Sequence, residues 1–263
     1  MSYPLCYDAR MTTEELIIKN RDGLRMPANL ILPDGEPRGT AVVLHGLGGW
    51  RNQPIVVSPA ETLARRGYAV LRFNDSNGIT SPDGDFYRST TTQYTKDVED
   101  ALAFMRTQPW SAGPITLVGH SLGGLVAAWY AAEHPEEVER LVLIAPAISW
   151  KTMWWAWLPI ALIWLIRGHR MMLGIDGKKF ALSPLWWMDF FKFDGHSYAS
   201  KIAVPTLVIS AELDHTVAHP HHQRALARRF AKGEHSMVAF ADHDFDGHID
   251  EVVDTIDQWL TSS

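Results

Sequence analysis

Short apolar runs alternate with amphipathic segments along most of this chain. The runs are rich in Val, Ile, Leu and Ala, and they predict buried strands at residues 40–44, 68–73, 115–118, 141–144, 206–210 and 237–240. Helical periodicity predicts helices over residues 57–66, 92–106, 125–132, 220–231 and 247–260. Strands that are apolar on both faces and separated by helices are typical of a mostly parallel sheet covered on both sides.

An antiparallel pair is predicted before these units. Residues 14–20 and 27–32 flank Asp22-Gly23, which is a turn signal between two strand-like runs. Together with the later runs they predict an α/β fold with a sheet of about eight strands. We expect the core to comprise residues 12–146 and 203–262, with an N-terminal extension at residues 1–11.

A long tryptophan-rich insertion interrupts this rhythm at residues 147–202. It holds seven of the chain's eleven tryptophans, which are Trp150, Trp154, Trp155, Trp157, Trp164, Trp186 and Trp187. Residues 153–166 are wholly apolar but fall short of the ~20 residues that a membrane-spanning helix needs. We expect a helical lid, with part of its tryptophans packed as core. The others would line an apolar acyl or aromatic pocket or meet a lipid surface. The candidate substrate contacts are Trp150, Trp154, Trp157, Trp164, Trp186 and Trp187.

Composition narrows the class of protein. Of the 263 residues, 46% are apolar and 21% charged, which argues against disorder, and a net charge of −6 without a basic run argues against nucleic acid as a partner. Cys6 is the only cysteine, so an intramolecular disulfide is excluded. The N-terminal residues lack the pattern of a signal peptide, and the expected compartment is the cytoplasm.

A glycine-flanked serine follows the apolar run at residues 115–118. The segment GHSLG at residues 119–123 has small residues two places either side of Ser121, so the chain can turn sharply and push Oγ outward. The N-terminal end of the helix that follows would place backbone N–H groups beside a substrate carbonyl that the serine attacks. The pattern predicts Ser121 as a nucleophile and the Leu122 N–H as an oxyanion donor. The alternative is a glycine-rich connection with an incidental serine.

A candidate acid follows the strand at residues 206–210. Asp214 is favoured over Glu212, because Glu212 lies nearer the strand and Glu is the less usual acid of a Ser-His-acid triad. The competing interpretation of Asp214 is a loop carboxylate or a residue that begins a helix.

A candidate base follows the last predicted strand, at residues 237–240. His243 lies just past the strand end, whereas His248 falls in the first turn of the final helix and is expected to face solvent. The chain order Ser121, Asp214, His243 is the one expected on such a fold.

A second oxyanion donor is expected after the strand at residues 40–44. The segment HGLGG at residues 45–49 allows close backbone approach, and the Leu47 N–H is the candidate donor, while His45 is interpreted as ordering this loop. Four nearby histidines are potential metal ligands, but no metal site is predicted, because no cysteine or further histidine cluster supplies the rest of a site. The cluster comprises His215, His219, His221 and His222. No cofactor is predicted either.

Four motifs resemble the α/β-hydrolase family. They are HGLGG at residues 45–49, GHSLGG at 119–124, ELD at 212–214 and DHDF at 242–245. The segment SPDGDF at residues 81–86 is similar to a stretch found in the branch of feruloyl (cinnamoyl) esterases and monoacylglycerol-lipase-like enzymes. Residues 74–78 lack the Gly-His-Gly of many members, and the tryptophan-rich insertion matches no known cap. The resemblance implies an α/β-hydrolase fold with a lid after the sixth main strand.

The function predicted from these residues is a serine carboxylesterase. Its substrate would be a small ester of a hydrophobic acyl or aromatic acid, cleaved through an acyl-enzyme. The resemblance to the feruloyl esterase branch implies a cinnamoyl or feruloyl ester. Monoacylglycerol lipase, thioesterase and acyltransferase activities use the same machinery and stay open. The rival class is a non-catalytic ligand sensor or membrane-docking protein. Contact with a membrane surface and a homodimer formed through the lid are open as well.

Overall fold

An eight-stranded sheet forms the centre of the computed structural model, which describes residues 11–152, 171–175, 178–217 and 219–262. Its strands are β1 (Thr12–Lys19), β2 (Arg25–Leu32), β3 (Gly39–Leu44), β4 (Tyr68–Phe73), β5 (Ile115–His120), β6 (Val138–Ile144), β9 (Pro205–Ala211) and β10 (Lys232–Val238). The spatial order is β1-β2-β4-β3-β5-β6-β9-β10. Only β2 runs opposite to the other strands of this sheet, and it pairs antiparallel with β1 on one side and β4 on the other.

Helices cover both faces of the sheet. They are α1 (Pro54–Arg65), α2 (Thr91–Arg106), α3 (Leu122–Glu133), α4 (Leu185–Phe190), α5 (Gly195–Ala199), α6 (Pro220–Ala227) and α7 (Ile249–Ser262). In the described part of the chain, no helix is long and apolar enough to cross a membrane.

Two apolar layers anchor these helices to the sheet. Leu102 of α2 and Val126 of α3 belong to the layer on one face, and Leu63 of α1 and Ile256 of α7 belong to the layer on the other. All four side chains are fully buried, and each such burial stabilises the fold by ~1.5–3 kcal/mol. The sheet is therefore a rigid platform whose parallel strands end at one edge.

The last strand differs from the sequence prediction. β10 begins at Lys232 rather than at residue 237, and it pairs in parallel with β9. It lies at the edge of the sheet and most of its side chains are exposed or half-buried, so no apolar run marks it. The preceding helix ends at Ala227 rather than 231. Gly233 approaches it so closely that a Cβ there would lie 2.0 Å from the Ala227 carbonyl oxygen.

The insertion contains strands as well as helices, which corrects the expectation of a helical lid. β7 (Met171–Ile175) and β8 (Lys178–Leu182) form an antiparallel pair, and α4 and α5 follow. Phe180 of β8 contacts the ring of Phe86 edge-on, with 5.8 Å between centroids. This contact joins the pair to the 3₁₀ helix Phe86–Arg88. Residues 153–170 lie outside the described part of the chain, and with them the predicted contacts Trp154, Trp157 and Trp164.

The two ends of the insertion lie side by side. Ser149 and Asp194 form an isolated antiparallel bridge, and the Gly195 N–H donates to the Ile148 carbonyl at 2.7 Å. The chain leaves the sheet after β6 and returns at β9, and these two strands are neighbours. Residues 149–194 are thus an excursion from a single point near the carboxyl end of β6, and the helix α5 then leads back to the start of β9.

Close packing of α3 against the end of β3 leads to a testable prediction. A Cβ on Gly123 would lie 2.5 Å from the His45 carbonyl oxygen and 2.7 Å from that of Leu44. Because both are backbone atoms, we expect Gly123→Ala to lower the free energy of unfolding by at least about 2 kcal/mol, despite the ~1 kcal/mol that Ala gains over Gly in a helix.

The matched control is Gly124→Ala, where the Gly119 carbonyl oxygen and Pro146 Cβ would lie 3.0 Å away, so the neighbours need to give only by a few tenths of an ångström. Urea denaturation of the two variants measures the difference, and equal stabilities would contradict the prediction.

Candidate active site

Ser121 lies in the sharp turn between β5 and α3, with φ +55°. This conformation costs a non-glycine residue about 1–2 kcal/mol and needs support from its surroundings. The Ser121 N–H donates to the Ile144 carbonyl at 2.9 Å, and the Ser121 carbonyl accepts from the N–H groups of Gly124 and Ala147, both at 3.0 Å. Hydrogen bonds to a neighbouring strand and to the helix therefore hold the serine in its strained turn.

A chain of hydrogen bonds joins the three predicted catalytic side chains. His243 Nε2 lies 2.9 Å from Ser121 Oγ, and His243 Nδ1 lies 2.8 Å from Asp214 Oδ2. Ser121 and Asp214 are buried, and the His243 side chain is 11% exposed. With the carboxylate accepting from Nδ1–H, the other ring nitrogen is free to accept the serine proton. The arrangement is chemically able to generate a serine nucleophile.

The environment of Asp214 keeps it ionised. Burial acts to raise the pKa of this carboxyl, but the hydrogen bond from His243 and its charge act in the other direction. Oδ1 also accepts from the N–H groups of Thr216 at 2.8 Å and Val217 at 3.2 Å. The net result is a pKa below the ordinary value for Asp, so the group is a carboxylate at neutral pH.

The two rejected candidates have other partners. Glu212 accepts the Phe240 N–H at 2.8 Å, which ties the loop after β9 to the residues after β10. His248 precedes α7 and its Nδ1 lies 2.7 Å from Glu251 Oε1. Neither side chain joins the hydrogen-bond chain around Ser121.

The predicted oxyanion loop lies directly against Ser121. A Cβ on Gly46 would lie 3.0 Å from Ser121 Cβ and 3.5 Å from Oγ, so only glycine fits there without a shift. The Gly46 carbonyl accepts from the Gly49 N–H at 3.0 Å. Across residues 11–152 and the other described ranges, the N–H groups of Leu47 and Leu122 donate to no protein acceptor. Gly46 and Ser121 lie against each other, and the residue that follows each of them has an N–H group that is not used within the described protein.

His45 is buried behind this loop. Its Nδ1 lies 2.8 Å from the Gly46 carbonyl oxygen, and its own carbonyl accepts from the Tyr94 hydroxyl at 3.0 Å. The two rings stack with centroids 5.3 Å apart. Burial lowers the pKa of His45 to about 4, so the ring is neutral at physiological pH.

His120 has a contact that the sequence motif did not reveal. Its Nε2 lies 3.0 Å from the His243 carbonyl oxygen, and the two rings are 4.9 Å apart. Burial lowers the pKa of His120 to about 3, and the neutral ring donates from Nε2. The residue before the nucleophile thus ties β5 to the loop that carries His243. The motif Gly-x-Ser-x-Gly leaves this position free and gave no signal for it.

The described tryptophans of the insertion have unlike surroundings. Trp186 is buried and stacks on Phe190 at 5.0 Å, and Trp187 packs partly buried against the same core. Trp150 is 39% exposed and meets Phe191 edge-on at 5.4 Å. These contacts of Trp186 and Trp187 are packing contacts. The substrate contacts expected of all three tryptophans stay a prediction.

The histidine cluster is arranged around the start of α6. His219 Nδ1 lies 2.7 Å from His221 Nδ1 and accepts the His221 N–H as a helix cap. Within the described ranges, the group whose ligand atoms lie close enough for one metal ion is instead His134, Glu136 and Glu137. Glu137 in that group is paired with Arg106 and Tyr130.

Solved structures share this fold over nearly the whole chain. Est1E from Butyrivibrio proteoclasticus, with bound ferulic acid, superimposes with a TM-score of 0.78 at 20% identity, over 94% of this chain and 98% of that one. Alpha/beta hydrolase domain-containing protein 10 from mouse gives 0.74 at 19% identity, over 95% and 99%. Identities this low show the fold alone. The two superpositions confirm the predicted α/β-hydrolase fold.

Sequence comparison identifies relatives and a family. Monoglyceride lipase from Homo sapiens is 30% identical over 134 residues, which are 49% of this chain but only 42% of the human protein. The chain therefore matches less than half of that relative's length. A family model described as "Serine aminopeptidase, S33" (Hydrolase_4) matches residues 35–179, more than half of the chain. The protein belongs to this family of α/β hydrolases.

Proposed function

We propose that the protein is a serine carboxylesterase acting on small esters of hydrophobic acyl or aromatic acids. The observation that carries the proposal is the continuous hydrogen-bond chain from Asp214 through His243 to Ser121 Oγ, at 2.8 and 2.9 Å. A nucleophile, a base within reach of its proton and an acid that orients the base are the parts that acyl transfer requires.

In the proposed mechanism, Ser121 Oγ attacks the ester carbonyl while His243 Nε2 takes its proton. The tetrahedral oxyanion accepts hydrogen bonds from the N–H groups of Leu47 and Leu122. His243 then protonates the leaving alcohol, and an acyl-enzyme remains. Water attacks this ester with His243 again as base, which releases the acid and restores Ser121. Asp214 stabilises the imidazolium that forms in each step.

The proposed substrate class rests on the apolar insertion, whose first residue lies at the site, since the Ala147 N–H donates to the Ser121 carbonyl at 3.0 Å. The relative named monoglyceride lipase favours esters of acyl chains as substrates. The Est1E structure, which holds ferulic acid, favours esters of an aromatic acid. We propose that exposed aromatic residues of the insertion, with Trp150 first among the described ones, contact the acid part of the ester.

An exposed apolar patch favours one second candidate, a lipase that meets a lipid surface. The patch comprises Trp150, Leu185, Met188 and Phe191, which are 39%, 62%, 65% and 52% exposed. The last three are spaced three residues apart along α4 and its end, so they share one helix face. Such a face would bind a lipid surface or a second copy of the lid.

The nucleophile assignment predicts a nearly complete loss of activity for Ser121→Ala. We expect turnover of p-nitrophenyl esters of graded chain length to fall on the order of 10⁴-fold, with an unchanged melting temperature. Labelling by a fluorophosphonate probe should disappear with it. A folded variant that keeps a tenth of the activity would refute the assignment, and an unlabelled, inactive wild type would favour the non-catalytic class.

The base assignment predicts unequal effects for two nearby histidines. His243→Ala should match Ser121→Ala in severity, because the serine proton then has no acceptor. His248→Ala is the control and should lose less than about tenfold, since its contact with Glu251 is worth ~1 kcal/mol. Steady-state kinetics on one soluble ester compares them. The reverse ranking would move the role to His248.

The proposed substrate contact of Trp150 and the burial of Trp186 predict different effects when each tryptophan is replaced by alanine. Trp150→Ala should lower kcat/KM for long-chain or aromatic esters about fivefold relative to an acetyl ester, because one ring contact is worth ~1 kcal/mol. Trp186→Ala should instead lower the free energy of unfolding by about 3–5 kcal/mol, because its ring is buried.

The outcome for Trp150→Ala distinguishes the two candidate functions. Unchanged ester selectivity together with weaker flotation on liposomes would favour the lipid-surface lipase. Unchanged selectivity with no liposome binding by the intact protein would defeat both roles of Trp150.

A further inference from the structure

The peptide between Gly46 and Leu47 is held by its carbonyl. The Gly46 oxygen accepts two hydrogen bonds, one from His45 Nδ1 at 2.8 Å and one from the Gly49 N–H at 3.0 Å. In a trans peptide the C=O and the N–H point in opposite directions, and the described chain has no cis bond. Fixing the carbonyl therefore also fixes the direction of the Leu47 N–H, which is the proposed oxyanion donor.

The hydrogen bonds of His45 define its tautomer. Nδ1 faces a carbonyl oxygen, so it must carry the proton, and Nε2 accepts the Asp75 N–H at 3.3 Å. Tyr94 holds the residue further, since its hydroxyl donates to the His45 carbonyl and its ring stacks on the imidazole. The ring is thus clamped between two segments of backbone, and its donor is directed at Gly46.

The Asp75 carboxyl lies beside the same ring. Its Oδ1 is 3.4 Å from His45 Nε2, and the residue is buried. Burial, followed by the nearby charge of Asp97, raises the pKa of Asp75 to about 8. A neutral carboxyl is compatible with a lone pair on Nε2. A carboxylate at this distance instead attracts a proton to Nε2, which would strip Nδ1 of the proton that it donates to Gly46.

We propose that His45 and Asp75 are positioning residues for the oxyanion hole, with the neutral Asp75 keeping His45 in the tautomer that holds the Gly46–Leu47 peptide. The proposal rests on the function proposed above, because it concerns the Leu47 donor of that mechanism. Oxyanion donors act on the transition state, so the pair should affect kcat rather than KM.

The proposal predicts the pH dependence of kcat. Asp97 and Tyr94 of α2 face Asp75. The groups that face His45 are Asp75, Tyr94 and, more remotely, His120. Asp75 is neutral below its pKa of about 8 and ionised above it. The contribution of His45 and Asp75 to kcat is therefore complete below this pH and is lost as the pH rises above it. We expect kcat of the wild type to fall at least about fivefold between about pH 7 and about pH 9.5.

Two sets of variants test the proposal on a soluble ester. His45→Leu removes the donor and should lower kcat about 10–100-fold with KM within about twofold, whereas His45→Asn keeps a donor near the position of Nδ1 and should restore most of the loss. Asp75→Asn cannot ionise and should lack the alkaline fall of kcat. Thermal denaturation checks folding, and the pH profile of Asp75→Asn remains decisive if His45→Leu does not fold.

The outcomes separate this proposal from the proposed function. A His45→Leu enzyme with unchanged kcat, a loss carried by KM, or an alkaline fall in Asp75→Asn equal to that of the wild type would overturn the positioning role. A wild type that neither reacts with a fluorophosphonate nor hydrolyses esters would instead overturn the function itself.

Discussion

The structure depends on how closely helix α3 approaches the end of the sheet. A Cβ on Gly119 would lie 2.3 Å from the Gly123 carbonyl oxygen, and one on Gly123 would meet the carbonyls of Leu44 and His45. Backbone therefore touches backbone at the joint between β3, β5 and α3. This contact holds Ser121 in its left-handed conformation and brings Gly46 beside it. A side chain at any of these glycines would separate the nucleophile from the loop that faces it.

The parallel sheet supplies the remaining parts of the site. β3, β5, β6 and β9 end at the same edge, so the oxyanion loop, Ser121 and the loop of Asp214 meet there although they are distant in the chain. His243 follows β10, the strand next to β9. The Leu213 N–H donates to the Ala241 carbonyl, and His120 donates to the carbonyl of His243. The loops are thus bonded to one another as well as to the sheet.

Local patterns in the sequence carried most of the fold and the candidate site. Ser121 directly follows β5, and Asp214 and His243 lie a few residues past the ends of β9 and β10, so the residue type together with a place shortly after a predicted strand selected each of them. The first residues of β10 were not predicted, because an edge strand is buried on few sides and needs no apolar run. His120, Tyr94 and Asp75 escaped for a different reason. Their importance lies in contacts with residues far away in the chain, and no local spacing encodes such contacts.

The adjacent ends of the insertion affect how this fold can change. The bridge between Ser149 and Asp194 holds the two ends of the intervening segment together, so that this segment joins the core as a closed loop. The entropy of closing a loop grows only with the logarithm of its length, and doubling the length costs about 0.6 kcal/mol. The chain between these two points can therefore be lengthened or shortened at little entropic cost to the strands that hold Ser121 and Asp214, provided that buried side chains such as Trp186 keep their packing. Under the proposed function, the insertion is the part of the molecule in which a new specificity can evolve while the chemistry stays constant.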